Sequence, residues 1–335
     1  MLFRSGVKAQ QGREAQIRYC VSCNTCWHMI TTGRGLRCDN NPRVGESDEA
    51  DWRPEPSETR KHIVVVGAGI AGMEAASVAA QRGHRVTVFG KSDEPGGKTR
   101  LHALLLGGEN LSSIYDYQRL AADRAGVDFR WGVPATLDDV MALAPDHVVL
   151  ATGATPAWPD YLPEEYRGEG FFPDLREAVE QLVRITARQP GTAVIHDADG
   201  GAFVYAAAEL LHKRFERVVL LTDRERIAGD EAVVTRQGIY ARLYRKGIEI
   251  VTSVRPLSSS RFEEAEVAFA NIYTGEEQVI TNVALFTYAT ARIPDDALAA
   301  PLMAAGVDVQ LIGDAWAPRS VLTATAEGYR AAMTF

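Results

Sequence analysis

Outside one short stretch this chain has no cysteine. The four it contains, Cys20, Cys23, Cys26 and Cys38, lie together, so none is left to form a disulfide elsewhere. A reducing compartment follows, and the expected location is cytoplasmic. The first ten residues hold no apolar h-region, so no signal peptide is expected. No apolar run is clean enough to span a membrane: the longest, Ile63 to Ala80, is broken by three glycines and by Glu74. Basic residues are in the minority, 36 Lys and Arg against 44 Asp and Glu, for a formal net charge of −8. That balance argues against a nucleic-acid backbone or an anionic membrane as partner. Also missing are a short-period repeat, a low-complexity tract, a Ser/His/Asp set and a pair of acid/base carboxylates. No catalytic residue is assigned.

What is present begins with the cysteines. Their spacing, C-x2-C-x2-C and then x11-C, is a ligand set for a [4Fe–4S] cluster. Three thiolates at i, i+3 and i+6 on a tight loop converge on one face of a cuboidal cluster, and the distant fourth closes it. Structural zinc prefers two separated C-x2-C pairs, and there is no second pair. A catalytic dithiol needs two cysteines, not four. The segment is therefore expected to move single electrons. Trp27 reads as a shield for the cluster and His28 as a surface or packing residue. Residues 1–60 are otherwise polar and read as irregular, with an acidic, proline-containing linker from Gly45 to Ser57. Order in such a segment depends on the cluster and its neighbours.

The chain's 335 residues allow two or three domains with real cores. At Lys61 the character changes. The continuous apolar run His62–Val66 predicts a buried parallel strand. A helix is expected over Met73–Gln81, strands at Arg85–Phe89, Val127–Trp131 and His147–Leu150, and a helix over Ile114–Ala125. A second α/β block follows, with helices at Leu175–Ala187, Ala202–Lys213 and Asp230–Lys246. Its strands are expected at Ala193–His196, Arg217–Leu221 and Ile248–Thr252. Glu266–Ala270 and Gln278–Phe286 read as a hairpin or meander, and a strand, Gly313-Asp314 and a helix close the chain. The expected fold is α/β, with two Rossmann-like three-layer domains, one inserted in the other, behind the cluster segment. The expected boundaries are 1–60 for the cluster segment, 61–155 plus 291–335 for a nucleotide-binding domain, and 156–290 for the insert.

Gly67-x-Gly69-x-x-Gly72 stands between the first strand and its helix, the context that gives this motif its meaning. Gly67 permits the tight turn, Gly69 lets backbone approach a pyrophosphate, and Gly72 lets helix pack on strand. The helix N-terminus then offers unpaired N–H groups to the phosphates. Glu74 fits a flavin-type variant. One position departs from the pattern: the second strand should end in an acid that holds the ribose hydroxyls, and here Gly90 stands there, followed by Lys91. In the second half the equivalent turn carries Asp197 and Asp199 before Gly200-Gly201. Carboxylates repel a pyrophosphate, so this half reads as a nucleotide-binding fold that has lost its nucleotide. Asp314, after an apolar strand, is read either as a contact to the sugar-alcohol chain of a flavin or as a helix N-cap.

Together these motifs resemble the C-terminal portion of the trimethylamine dehydrogenase / 2,4-dienoyl-CoA reductase family. The resemblance rests on Ile17 to Cys26, Cys38 to Pro42, Gly67 to Gly72, Pro95-Gly96-Gly97, Ala151-Thr152-Gly153 and Leu311 to Arg319, and it covers essentially the whole chain. It implies nucleotide-binding roles for Gly96, Gly97, Gly153, Gly313 and Asp314 beside Gly67, Gly69 and Gly72. It implies FAD, or ADP in its place, in the first fold. This stretch has no room for the FMN-binding TIM barrel such proteins carry, so the resemblance implies that the barrel is a separate partner subunit or has been lost or cut away. The chain would relay electrons from that FMN, through the cluster, to an electron-transferring flavoprotein or similar acceptor. The alternative is a self-contained NAD(P)H-dependent reductase. Residues 1–16 and 27–29 are expected to be covered by the partner.

Overall fold

The computed structural model describes residues 2–47, 49 and 52–335. The acidic run read as a linker falls partly outside them, at Asp48, Ala50 and Asp51. The chain divides into two compact units: one of residues 1–100, 110–155 and 293–335, the other of 101–109 and 156–292.

The first unit is built on a five-stranded parallel sheet. Its strands run side by side in the order Val309–Leu311, His147–Leu150, His62–Val66, Arg85–Gly90 and Asp128–Trp131. His62–Val66 is central and buried at every residue, which is why it reads as an unbroken apolar run. The helix Ile70–Gln81 follows, and all of Ile70 to Ala80 is buried. Small residues make that burial possible. A Cβ at Gly328, in the last helix Val321–Met333, would lie 2.3 Å from the carbonyl of Ala71, so the two helices touch backbone to backbone.

Two helices occupy the segment read as irregular, Leu2–Gln10 and Thr25–Thr31. The second places Cys26 on a helical turn, so the three leading cysteines do not share one loop. Ser22 and Asn24 take left-handed backbone, φ 58° and 62°, on either side of Cys23. Asn24 tolerates that region better than most residues, because its short side chain bonds locally.

The second unit holds a four-stranded parallel sheet in the order Val283–Ala289, Gln189–Asp197, Phe215–Leu221 and Glu249–Val251. Beside it, Glu277–Ile280, Val267–Asn271 and Val254–Pro256 form an antiparallel sheet. The stretch Gln278–Phe286, read as one strand, is two. Asn282, at φ 55°, breaks it, and Val283–Ala289 crosses into the parallel sheet. The helix Leu175–Leu182 starts on a capping box, Asp174 with Glu177, and stops five residues before the expected Ala187. Among the described residues no helix is long and apolar enough to cross a membrane.

Candidate functional site

The glycine turn of the first unit is fixed by contacts that exclude side chains. Gly67 has φ 110°, and a Cβ there would meet the Ala151 carbonyl at 2.3 Å. A Cβ on Gly72 would stand 2.0 Å from the Gly67 carbonyl. Gly69 differs: nothing lies within 4 Å of its would-be Cβ. It caps the helix Ile70–Gln81 and carries no side chain to occupy the first helical N–H groups, with open space at its would-be Cβ. That is a cradle of the shape and polarity a pyrophosphate requires.

The other glycines close round this turn. Gly96, at φ 103°, donates its N–H to the Ala68 carbonyl at 2.8 Å, and a Cβ there would strike the Tyr115 ring at 2.6 Å. A Cβ on Gly97 would lie 3.2 Å from the Gly69 Cα, and one on Gly313 would lie 2.8 Å from the Ala71 Cβ. Gly153, at φ 89°, has open space beside it and follows Ala151 by two residues. Asp314 is held by Lys98 and by the Arg319 N–H at 3.0 Å. It does not cap the last helix; Ser320 does, accepting from the Thr323 N–H. The Gly313 N–H donates to Glu327 at 2.8 Å.

Glu74 lies just past the first turn of its helix and is fully buried. Arg18 grips both its oxygens, at 2.8 and 3.1 Å, and the Gln118 amide donates to it at 2.9 Å. The Arg18 guanidinium also stacks over the Tyr117 ring at 4.3 Å and donates to the Asn40 carbonyl at 2.6 Å. Burial alone would lower the Arg18 pKa; the charge of Glu74 and the contact with Tyr117 outweigh it and drive it up. This clamp joins the cysteine segment to the helix Ile70–Gln81, and sequence reading missed it because the partners stand 56 residues apart.

All four cysteines are unbridged. Burial, and then the charge of Asp39, push the Cys23 thiol up to about 11. Burial raises Cys38 as well, against hydrogen bonds from the Asn40 and Asn41 backbone. The Ser22 N–H reaches the Cys20 sulfur at 3.4 Å, and Thr25 donates to Cys23. Backbone donors aimed at sulfur suit thiolates that share an iron–sulfur cluster. The described residues contain no group of three or more His, Cys, Asp or Glu close enough to hold a metal ion. Trp27, read as a shield, is 55% exposed.

The corresponding turn of the second unit is filled by its own side chains. Asp197 is fully buried and accepts from the Gly200 N–H at 2.7 Å and the Tyr205 hydroxyl at 2.9 Å; burial pushes its carboxyl up to about 6. The Arg224 guanidinium sits 2.7 Å from a Cβ placed on Gly200 and donates to the Asp199 carbonyl at 3.1 Å. Asp199 pairs with Arg292 at 3.4 Å. At the start of the helix Ala202–Arg214, the Ala202 N–H donates to the Glu231 carboxylate at 2.9 Å. An anion already stands where a pyrophosphate would bind. Asp197 and Asp199 were legible as obstacles; Glu231 and Arg224, outside the turn, were not.

With this geometry in view, similarity to known proteins is informative. An NADH oxidase from Thermoanaerobacter brockii is 28% identical over 333 residues, 97% of this chain and 49% of that protein. An N,N-dimethylglycine/sarcosine dehydrogenase from Chromohalobacter salexigens is 31% identical over 302 residues, 87% of this chain and 42% of that protein. The solved structure of histamine dehydrogenase from Rhizobium sp. 4-9 superposes with a TM-score of 0.82 at 24% identity, over 98% of this chain and 50% of that one. The chain thus spans about half the length of these relatives. Residues 61–314 match the domain described as pyridine nucleotide-disulphide oxidoreductase, a flavin- or NAD(P)-binding α/β fold with parallel sheets. The chain belongs to the pyridine nucleotide-disulphide oxidoreductase family.

Proposed function

We propose that this chain is the electron-transfer part of an iron–sulfur flavoprotein oxidoreductase of the trimethylamine dehydrogenase / 2,4-dienoyl-CoA reductase type. It would take electrons from an FMN-binding TIM-barrel partner acting on a methylated amine and pass them to an electron-transferring flavoprotein or similar acceptor. The amine assignment draws on the dimethylglycine/sarcosine dehydrogenase among its relatives. Cys20, Cys23, Cys26 and Cys38 would hold a [4Fe–4S] cluster, which when bound supplies one-electron chemistry. Gly67, Gly69, Gly72, Gly96, Gly97, Gly153, Gly313 and Asp314 would line the site for FAD, or for ADP in its place.

The observation that carries this reading is the contrast between the two turns. The first leaves its helix N-terminus open, while the second covers its own with Glu231 and Arg224. A chain that binds one nucleotide and excludes the second fits a relay better than a nicotinamide-driven reductase. The matched region 61–314 also contains no cysteine, so it holds no dithiol for disulfide reduction.

The NADH oxidase among the relatives favours the second reading, a self-contained NAD(P)H-dependent reductase. Anaerobically purified protein separates the two. Expected are about four irons per chain, an adenine nucleotide released on denaturation, and no rapid bleaching of flavin absorbance on mixing with NADH or NADPH. Fast reduction by either nicotinamide would establish the second reading. Colourless, iron-free protein prepared without oxygen would remove the cluster.

A further inference from the structure

In a nucleotide-binding βαβ unit the second strand ordinarily ends in a carboxylate that takes the ribose hydroxyls. Here it ends in Gly90, paired in register with Trp131 at the end of the neighbouring strand. A Cβ on Gly90 would meet the six-membered ring of that indole at 2.7 and 2.8 Å, and the Ser92 carbonyl at 3.2 Å. The carboxylate is therefore excluded as well as missing, because the indole stands at its root. Trp131 is held there from other sides too. It stacks on Phe129 with ring centroids 4.9 Å apart and planes 8° from parallel. The Arg119 guanidinium lies 4.3 Å from the Phe129 ring centre and 4.9 Å from that of Trp131. Part of the indole surface remains exposed.

An indole offers a purine dispersion and stacking, and its one polar group is a donor. It cannot accept from a ribose hydroxyl. One carboxylate stands beside the next residue: the Asp93 Oδ1 lies 3.1 Å from a Cβ placed on Gly132.

We infer that Trp131 is the specificity residue at the adenosine end of the first unit's nucleotide site, gripping the base while the ribose 2′-hydroxyl goes unread. This rests on the reading that the first unit binds an adenine nucleotide. The pairing of Gly90 with Trp131 is what carries it: either residue alone would be an ordinary strand terminus.

The test uses the full chain, freed of any copurifying nucleotide, titrated with ADP and with 2′-deoxy-ADP. The two are expected to bind within about 3-fold of each other, since no charged acceptor is lost. Trp131→Ala should weaken both alike, by about 5- to 150-fold, as for other base–aromatic contacts. Trp131→Phe, which keeps a ring, should recover much of the loss. Discrimination against 2′-deoxy-ADP of about 10-fold or more would overturn the inference; so would its disappearance in Asp93→Asn, which would assign the ribose to that carboxylate. Unchanged ADP affinity in Trp131→Ala would also overturn it. These outcomes leave the nucleotide reading standing, whereas failure of both FAD and ADP to bind would remove it together with the inference. The deoxy comparison needs no variant, so a misfolded Trp131→Ala cannot blunt the test.

Discussion

Replacing Arg18 by methionine tests the clamp between the cysteine segment and the nucleotide helix. The change keeps an unbranched apolar stem and deletes the charge. Glu74, with no exposed surface, is left with the Gln118 amide and no cation. Removing one partner of a buried pair costs about 3–5 kcal/mol, and the lower end applies because the Arg18 side chain is 17% exposed. For a domain of this size, about 3 kcal/mol moves the melting temperature down by roughly 6–12 °C. Thermal scans of Arg18→Met, Glu74→Met and the double variant give the coupling. The double variant should melt above Arg18→Met, because it leaves no stranded charge. A shift smaller than about 2 °C, or a double variant worse than the sum of the singles, would refute the reasoning.

Gly69→Ala and Gly72→Ala should part company: the first has room in the protein and should keep its melting temperature while losing copurified nucleotide, and the second should lose both. Nucleotide loss without unfolding in Gly72→Ala would contradict the 2.0 Å clash. Asp197→Asn should flatten the pH dependence of stability between about 4 and 6. Burial raises the Asp197 carboxyl to about 6, so its contribution is full below the unfolded value and is lost as pH rises through the folded one. The slope removed amounts to at most about 3 kcal/mol; denaturant midpoints at pH 4 to 7 measure it, and an unchanged slope would show that Asp197 does not titrate there.

The parallel strands were legible because burial on both faces writes itself as unbroken apolar residues, as in His62–Val66. The same rule misled at Gln278–Phe286, where apolar content does not tell a hairpin strand from a sheet strand. The break depends on one left-handed residue, Asn282. The helices Leu2–Gln10 and Thr25–Thr31 were missed because 9 and 7 residues are fewer than the window over which helical periodicity can be read. At the cradle, glycines were informative because few other residues satisfy such turns. The partners that complete the picture, Arg18 for Glu74, Trp131 for Gly90 and Glu231 for Ala202, are tertiary neighbours, and spacing along the chain carries no trace of them.

The Thr325 hydroxyl donates to the Asp39 carbonyl at 2.7 Å, beside Cys38, across 286 residues of sequence. Arg43 meets the Tyr329 hydroxyl at 3.1 Å, and Trp52 packs on the same ring. The cysteine stretch is thus seated on a helix that the ribosome makes 286 residues later. At ordinary elongation rates the wait is roughly 15 to 60 seconds. Through that interval the thiols ride on a nascent chain without their permanent seat, open to oxidation and to stray metal ions. Under the proposed function, cluster loading follows completion of the helix Val321–Met333, or a carrier guards the thiols until then.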